Sequence, residues 1–504
     1  MYPIEFLWRA VRRFPDRIAI VAPEGETAFA ELARRVEARA VTLSQFPSLG
    51  DGFVCVGADN SVEHLVSILS VLAAGKVWVP LNPLSGDPEL RRIIAFVEPD
   101  LVLVDEDMRA RIRDGDWPTR LFSELKDLEG SPPMGPRSLL GVALDRTQGL
   151  KFTGGTTGRP KGVMQPLRAW NTNIATQMQA LRLGPEDRYL VAAPLTHGTS
   201  TYMLPVLGSG GGIIFPEDRK PAALLDAAER DGASLLFAPP TLVLGLVAEQ
   251  THAARMLQGL RYIIYGGGPM RPKQIREAQG CLGPVLCTTY GQTEAPQIAT
   301  FLPPEEMVDP VLASVGRPTF LTQIGIFNEA GQAMPAGAQG EIAIRGDLVM
   351  TGYFKAPEET ARTLKNGWLF TGDAGVVDER GYVFIRDRIR DLIITGGFNV
   401  YPSDVEVVLA AHPAVADCSV VGIQDEKWGE AVHAAIEVRP GATVEMDALK
   451  AMIRRELGPV KTPKAIHIFD SLPRSPVGKV LKPAIRHEIS CRWASEMEEI
   501  QHDD

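Results

Sequence analysis

The sequence predicts an α/β fold: a large N-terminal domain of parallel sheets with crossover helices plus a β-barrel-like segment, and a small α+β C-terminal domain. Three observations carry this. In the first two thirds, β-branched runs end in Gly/Pro turns and pass into helical patterns, as in "DGFVCVGADN" then "SVEHLVSILSVLAAG", "ASLLFAPP" then "TLVLGLVAE", and "LRYIIYGGGPM" then "RPKQIREAQ". Parallel strands joined by crossover helices require that alternation. From about 316 to 386 the texture changes to short strands split by turns, "QIGIFNEAGQAM", "GEIAIRG" and "GVVDERGYVFI", the pattern of an antiparallel, barrel-like segment. After "RDRIRDLIITGG" a compact unit follows, with helices over "SDVEVVLAAHP" and "EMDALKAMIRREL" and strands over "VADCSVVGIQD" and "AVHAAIEVRPG".

At the start of the chain, "MYPIEFLWRAVRRFPDR" carries charge through its apolar part and has no small-residue cleavage site, which predicts an amphipathic helix and not a signal peptide. Apolar runs such as "LLFAPPTLVLGLVAE" are too short and too broken by proline to span a bilayer. A boundary near 387–391 gives domains 1–388 and 389–504. Residues beyond about 488 are acidic and polar, so the last turn is expected to fray.

Composition narrows the function classes. A chain of 504 residues is too long for one ordinary core, and 45% hydrophobic with 23% charged residues is the balance of folded globular units. The net charge of -10, with no clustered Lys/Arg stretch, argues against a nucleic-acid partner, which would need many phosphates neutralised. Cys55, Cys281, Cys287, Cys418 and Cys491 lack CxxC or metal-ligand spacing, which points to free thiols in a reducing compartment and a cytoplasmic protein.

The stretch "FTGGTTGRPKG" at 152–162 is the strongest local signal. It fails the Walker A pattern, because Arg159-Pro160 follow Gly158 and glycine follows Lys161, and it fails the Rossmann fingerprint. Thr153, Thr156 and Thr157 still place hydroxyls beside backbone N–H groups freed by Gly154, Gly155 and Gly158, a nest suited to phosphate. Taken alone, the stretch fits a phosphate loop or a flexible surface loop.

The ordered set of stretches resembles the adenylate-forming superfamily, in its acyl-CoA synthetase branch of AMP-dependent synthetases and ligases. The resemblance runs through "FTGGTTGRPKG", with Gly154 where Ser is more usual, then "YGGGPM" at 265–270, "TTYGQTEAP" at 288–296, "LFTGDAGVVDERGYVFIRDRIRDLIITGGFNVYPSDVE" at 369–406 and "PRSPVGKVLK" at 473–482. It implies two half-reactions: a carboxylate attacks the α-phosphorus of ATP to give acyl-adenylate and pyrophosphate, and coenzyme A then displaces AMP. ATP, Mg²⁺ and CoA follow as the implied small molecules, and the resemblance also makes the C-terminal domain mobile.

The resemblance implies roles residue by residue. ATP or AMP binding falls to Thr153, Gly154, Gly155, Thr156, Thr157, Lys161, Gly266, Gly267, Gly268, Pro269, Thr289, Tyr290, Gly291, Gln292, Thr293, Asp373, Arg388 and Lys479. Within that set, Tyr290 stacks on adenine, where a flat ring can bury the base, and Asp373 takes both ribose hydroxyls. Lys479 bridges the carboxylate and α-phosphate as a point charge on a flexible stem. Glu294 and Thr156 are the implied magnesium ligands, a carboxylate being a hard oxygen donor. Catalysis is implied for Lys479, Glu294, His197 and Thr153. His197, Thr199, Tyr202, Met203, Phe237, Gly267, Gly291 and Ala295 are the implied acid-site residues, Gly396, Gly397 and Phe398 the pantetheine-tunnel loop, and Arg390 the hinge.

The alternatives by residue are a core tyrosine at 290, a sharp turn at 266–268, solvated charges at Asp373 and Arg388, and a structural histidine at 197. In the peptide-synthetase members of the superfamily that the chain resembles, this segment supplies an Asp for an amino group, and none lies in 192–204, which disfavours amino-acid substrates; no unassigned Arg or Lys falls in the candidate walls 197–203, 237–241, 265–270 and 291–297. The expected acid is therefore apolar: aromatic, alicyclic or medium-chain. Rival readings are transfer to a carrier-protein thiol and a non-catalytic ligand-binding protein on the same fold. A homodimer is compatible with the sequence.

Overall fold

The computed structural model of the chain describes residues 1–46, 52–125, 142–153, 160–396, 398–425, 428–475, 478 and 480–502. They pack as two compact units, Met1–Ile324 with Ala343–Thr371, and Gly325–Ile342 with Gly372–Asp504.

The first unit holds two sheets. In the nine-stranded sheet, Gly212–Ile214, Arg188–Leu190, Leu235–Ala238, Tyr262–Tyr265 and Leu286–Gln292 lie side by side in parallel, and Ala295–Leu302 then turns back antiparallel. The seven-stranded sheet sets Thr147–Thr153 between Val77–Pro80, parallel to it, and Lys161–Pro166, antiparallel. Strands such as Phe53–Gly57 and Leu235–Ala238 are buried along their whole length. Helices cover both faces of such a sheet, so its strands read as unbroken apolar runs and not as alternating ones.

The crossover helices begin where the sequence predicts. Val62–Ala73 is capped by Ser61, whose hydroxyl accepts from His64 N at 3.1 Å, and it buries Leu65, Ile68, Leu69 and Leu72 against Trp78, Tyr189 and Tyr202. The opening helix forms over Glu5–Arg13, with Glu5 in its first turn and Arg12 and Arg13 in its last, matching the helix dipole. In the region of short strands, Trp368–Val377 pairs antiparallel with Leu364–Lys365 at its start and with Val383–Arg388 at its end.

The second unit carries a sheet of Phe398–Val400, Ile393–Thr395, Gly429–Val438, Val415–Asp425 and Ala465–Ile468, packed by helices Pro402–Ala411 and Met446–Leu457 through Val405, Leu409, Val420, Ile436, Leu449 and Ile453. The closing helix runs Lys482–His502, past the position where fraying is expected. Ile485 and Ile489, fully buried with Val421, Ile423 and Phe469, anchor its first turns. Among the described residues no helix is long and apolar enough to cross a membrane.

Candidate active site

Ligands of open α/β sheets gather outside the carboxyl ends of parallel strands. Four such ends converge here. The turn holding His197 follows Arg188–Leu190, Phe237 closes Leu235–Ala238, Gly266–Gly268 follow Tyr262–Tyr265, and Tyr290 stands near the end of Leu286–Gln292. A Cβ on Gly198 would lie 3.0 Å from both Phe237 Cε1 and Gln297 Oε1, and one on Gly266 would lie 3.1 Å from Phe237 Cε2. The backbone on both sides therefore presses on one aromatic ring.

That ring ends a stack. Tyr202 lies between Tyr189, at 5.4 Å and 22°, and Phe237, at 5.7 Å and 26°. The Tyr202 hydroxyl accepts from Gln297 Nε2 at 2.8 Å, and the same amide donates to Thr289 Oγ1 at 3.3 Å. Gln297 holds a left-handed φ of 64°, and a Cβ on Gly291 would sit 2.7 Å from its N and C atoms, so no side chain fits at 291. Met203, Thr199 and Ala295 are fully buried. Gly267 has φ +78° with open space around it.

His197 presents an exposed edge, while Nδ1 meets Thr196 Oγ1 at 3.1 Å. Desolvation by the surrounding protein, and then the charge of Lys151, hold its pKa below the ordinary histidine value, leaving a neutral imidazole at pH 7. Lys151 itself is buried on the strand that leads into the glycine-rich stretch.

On the nucleotide side, Thr153 and Lys161 are register partners at the end of their strand pair. Gly154, Gly155, Thr156 and Thr157, between them in sequence, lie outside the described residues. Lys161 pairs with Glu359 and stands 5.0 Å from the Tyr353 ring centre. Thr293 and Glu294 form the two-residue tip of the hairpin in which Gln292 faces Ala295. Three anchors fix this tip: Gln165 Nε2 donates to Thr293 O at 2.8 Å, Met350 N donates to Glu294 O at 2.8 Å, and the Tyr353 hydroxyl donates to Glu294 Oε1 at 2.8 Å. Burial and then the Glu294 charge push the Tyr353 pKa up, which keeps it a donor. Gln292 Nε2 reaches Thr371 O at 3.0 Å. Tyr290 is 7% exposed and Pro269 follows the glycine turn.

In the second unit, Asp373 and Arg388 are register partners and ion-paired, Nε to Oδ1 at 2.8 Å. Arg390 sits in the single 3₁₀ turn Ile389–Asp391. Just before it, Asp387 accepts from Ser403 N at 3.0 Å and lies 3.7 Å from Lys482 Nζ, which reaches Glu406 Oε1 at 3.0 Å. Burial opposes the Lys482 charge, but Glu406 and Asp387 outweigh it and its pKa rises. Gly396 has φ +56° and packs on Trp428, whose Cε3 a Cβ would meet at 2.9 Å, while Phe398 is 61% exposed. Gly397 and Lys479 lie outside the described residues, although the segment flanking Lys479 is drawn in by the Arg474–Val480 bridge and by Leu481 N donating to Pro473 O at 2.8 Å.

Sequence reasoning missed Lys151, Gln297, Tyr353 and Glu359. Gln297 stands three residues beyond Glu294, just past the 288–296 motif, close enough to be found by asking what hydrogen-bonds a buried tip, whereas Tyr353 lies in none of the motifs. The stretches 197–203, 237–241, 265–270 and 291–297 hold no Arg or Lys, and outside them Lys151 lies against Ser200, whose hydroxyl donates to the His197 carbonyl. Strand alternation puts Lys151 on the same face as Thr153, a signal the sequence did contain.

Comparisons with known proteins agree with this geometry. The family model for "AMP-binding enzyme" matches residues 7–354, and that for "AMP-binding enzyme C-terminal domain" matches 404–479. A medium/long-chain-fatty-acid–CoA ligase of Mycobacterium tuberculosis is 35% identical over 95% of this chain and 88% of its own. A feruloyl-CoA synthase of an Amycolatopsis species is 33% identical over 95% of this chain and 98% of its own. Among solved structures, an amide bond synthetase of Marinactinospora thermotolerans superposes with a TM-score of 0.88 at 30% identity, covering 96% of this chain and 99% of that one.

Proposed function

The chain belongs to the AMP-binding enzyme family and is an ATP-dependent, AMP-forming acid–CoA ligase, and we propose that its acid is hydrophobic: aromatic, alicyclic or medium-chain. One observation carries the substrate reading. Phe237, backed by the fully buried Tyr189 and Tyr202 rings and crowded by Gly198 and Gly266, gives the strand ends a rigid apolar wall with small residues beside it. An apolar tail buried on such a wall gains roughly 25 cal/mol per Å² removed from water. Two relatives are named as a feruloyl-CoA synthase and a medium/long-chain-fatty-acid–CoA ligase.

In this reading the neutral His197 closes the wall beside the acid carboxylate without offering a competing charge. Tyr290 stacks on adenine, and Asp373 takes the ribose hydroxyls, its Oδ1 already oriented by Arg388. Thr153 and Lys161 bracket the triphosphate, and Lys479 meets the α-phosphorus. The metal site fits the residues present: the Glu294 carboxylate stands at a hairpin tip, and among the described residues its Oε2 has no hydrogen-bond partner. Glu294 with Thr156 would hold magnesium, which offsets charge gathering on the leaving pyrophosphate. Gly396 to Phe398 line the path of the pantetheine thiol, and the functional division of the chain is at 388/389, with Arg390 as hinge. A cytoplasmic setting is part of the proposal, supported by five cysteines of which none is in a disulfide.

ATP–pyrophosphate exchange over a panel of acids, followed by thioester formation with CoA, tests it. Exchange with apolar acids and little with acetate or malonate is expected. Preference for an amino acid or a short dicarboxylate would overturn the substrate assignment.

A further inference from the structure

Among the described residues Lys151 is a charge with no counter-charge. It is 8% exposed in the strand Thr147–Thr153, and among the described residues no carboxylate pairs with it. Its Nζ instead lies 4.9 Å from the Trp78 ring centre and 5.9 Å from that of Trp170, and donates to Ser200 Oγ at 3.0 Å. Ser200 opens the helix Ser200–Gly208, and its hydroxyl donates in turn to the His197 carbonyl at 2.8 Å. The setting is costly. A helix N-terminus carries partial positive charge and repels a cation, and tryptophan faces replace only part of the lost hydration. Apolar burial alone would have been met by Leu or Met at this position.

An uncompensated buried cation is tolerated where an anion arrives to meet it. The field of Lys151 is already felt at His197, and the carboxylate of the acid is the anion expected beside that histidine. We propose that Lys151 determines acid binding: it holds the His197 turn through Ser200, and its ammonium, lacking a carboxylate partner, supplies the positive field that draws in and positions the substrate carboxylate. The inference rests on the acid–CoA ligase reading and on His197 bordering the acid. Charges a few ångströms apart in a poorly hydrated site interact far more strongly than in water, so the attraction needs no direct contact.

The charge is conditional on pH. Burial lowers the Lys151 pKa to about 7. Among the described residues the groups facing it are Trp78, Trp170, Ser200 and the neutral His197, none of which supplies negative charge. Below that pKa the ammonium is present, and above it the amine is neutral, while the substrate acid stays ionised throughout. Acid affinity is therefore expected to fall as pH rises through 7.

The test pairs wild type with Lys151→Met, which keeps length and removes charge. In ATP–pyrophosphate exchange, KM for the acid should rise about tenfold or more in the variant while KM for ATP stays within about twofold. Its midpoint of thermal unfolding should match or exceed that of wild type, because an unpaired buried charge has been removed. In wild type alone, KM for the acid should climb between pH 6 and 8.5, and this climb should be absent from Lys151→Met. An unchanged acid KM in the variant, or a flat wild-type profile, overturns the inference, and the profile needs no variant to fold. If no acid supports exchange in wild type, the ligase reading falls and this inference falls with it.

Discussion

Tyr202 and Phe398 are both aromatic residues of the proposed substrate path, yet Tyr202 is fully buried and Phe398 is 61% exposed. The first belongs to a wall that already exists, with ring stacking, a hydrogen bond to Gln297 and glycines at 198, 266 and 291 where a Cβ would crowd its neighbours. The second opens a short strand opposite Thr395, beside a left-handed glycine at 396, and keeps most of its ring in solvent. Preformed packing is what selection of an acid needs, since specificity for an apolar tail comes from shape. Loops that keep apolar surface exposed suit a step in which a second substrate arrives later. On the proposed reading the two regions divide the reaction between recognition and timing.

The division breaks first at Lys479. Lys479→Ala should lower adenylate formation by on the order of a thousandfold, the scale of removing one preorganised charge from a phosphoryl-type transition state. Conversion of supplied acyl-AMP and CoA to thioester should persist near the wild-type rate. Equal loss in both assays would end the division. Next in size is the hinge. The 3₁₀ turn at Ile389–Asp391 already has backbone angles a proline can adopt, so Arg390→Pro should fold and hold the turn in one conformation. One half-reaction should then survive and the other fall by at least about a hundredfold. A variant with native circular dichroism and both activities intact would move the hinge elsewhere.

How much of this was legible in the sequence differs between the same two regions. Strands such as Leu235–Ala238 and helices such as Val62–Ala73 were readable because each is an apolar run of the right length bounded by Gly/Pro turns or a capping Ser. The continuation of the last helix to His502 was not, because its anchoring by Ile485 and Ile489 depends on which core they meet. Within the site, Glu294 and Tyr290 could be named from their motif, and the hairpin tip gives Glu294 its mechanical reason. Position flagged Gln297, three residues past Glu294, and Lys151, on the face of Thr153, but not their partners, and Tyr353 carried no such flag. Each acts through a partner distant in sequence: Tyr202 for Gln297, Glu294 for Tyr353, Ser200 for Lys151. Register and tertiary packing decide those pairs, and a single sequence does not reveal them.

On the recognition side, Gly291→Ala would force a Cβ to 2.7 Å from Gln297 backbone atoms that cannot move aside as a side-chain end could. The cost should be about 1–3 kcal/mol by denaturant titration, with acid KM rising alongside. A variant as stable as wild type would show that the wall is softer than its packing implies. Glu294→Gln keeps size and the hydrogen bond from Tyr353 but removes charge. The magnesium concentration for half-maximal exchange should rise on the order of tenfold, and calorimetry should show the same shift in magnesium-dependent ATP binding. An unchanged magnesium requirement would remove Glu294 from the metal site.

The smallest effect is expected from Tyr202→Phe, and it is the sharpest probe of the wall. The ring and its stacking on Tyr189 and Phe237 remain, while the acceptor for Gln297 Nε2 is lost. That amide keeps its contact with Thr289 Oγ1 at 3.3 Å, so its donors are not all orphaned and the stability loss should stay near 1 kcal/mol. Freed from Tyr202, Gln297 can shift, and with it the backbone that crowds Gly291 and borders the strand carrying Tyr290. The acid KM should change by about twofold to fivefold, with the direction depending on the acid, because a relaxed wall favours bulkier tails over slim ones. Thioester formation from supplied acyl-AMP should be indifferent to the change if timing resides in the other unit. A Tyr202→Phe enzyme that lost the thioester step while keeping its acid preferences would show that the buried wall and the exposed loops are coupled.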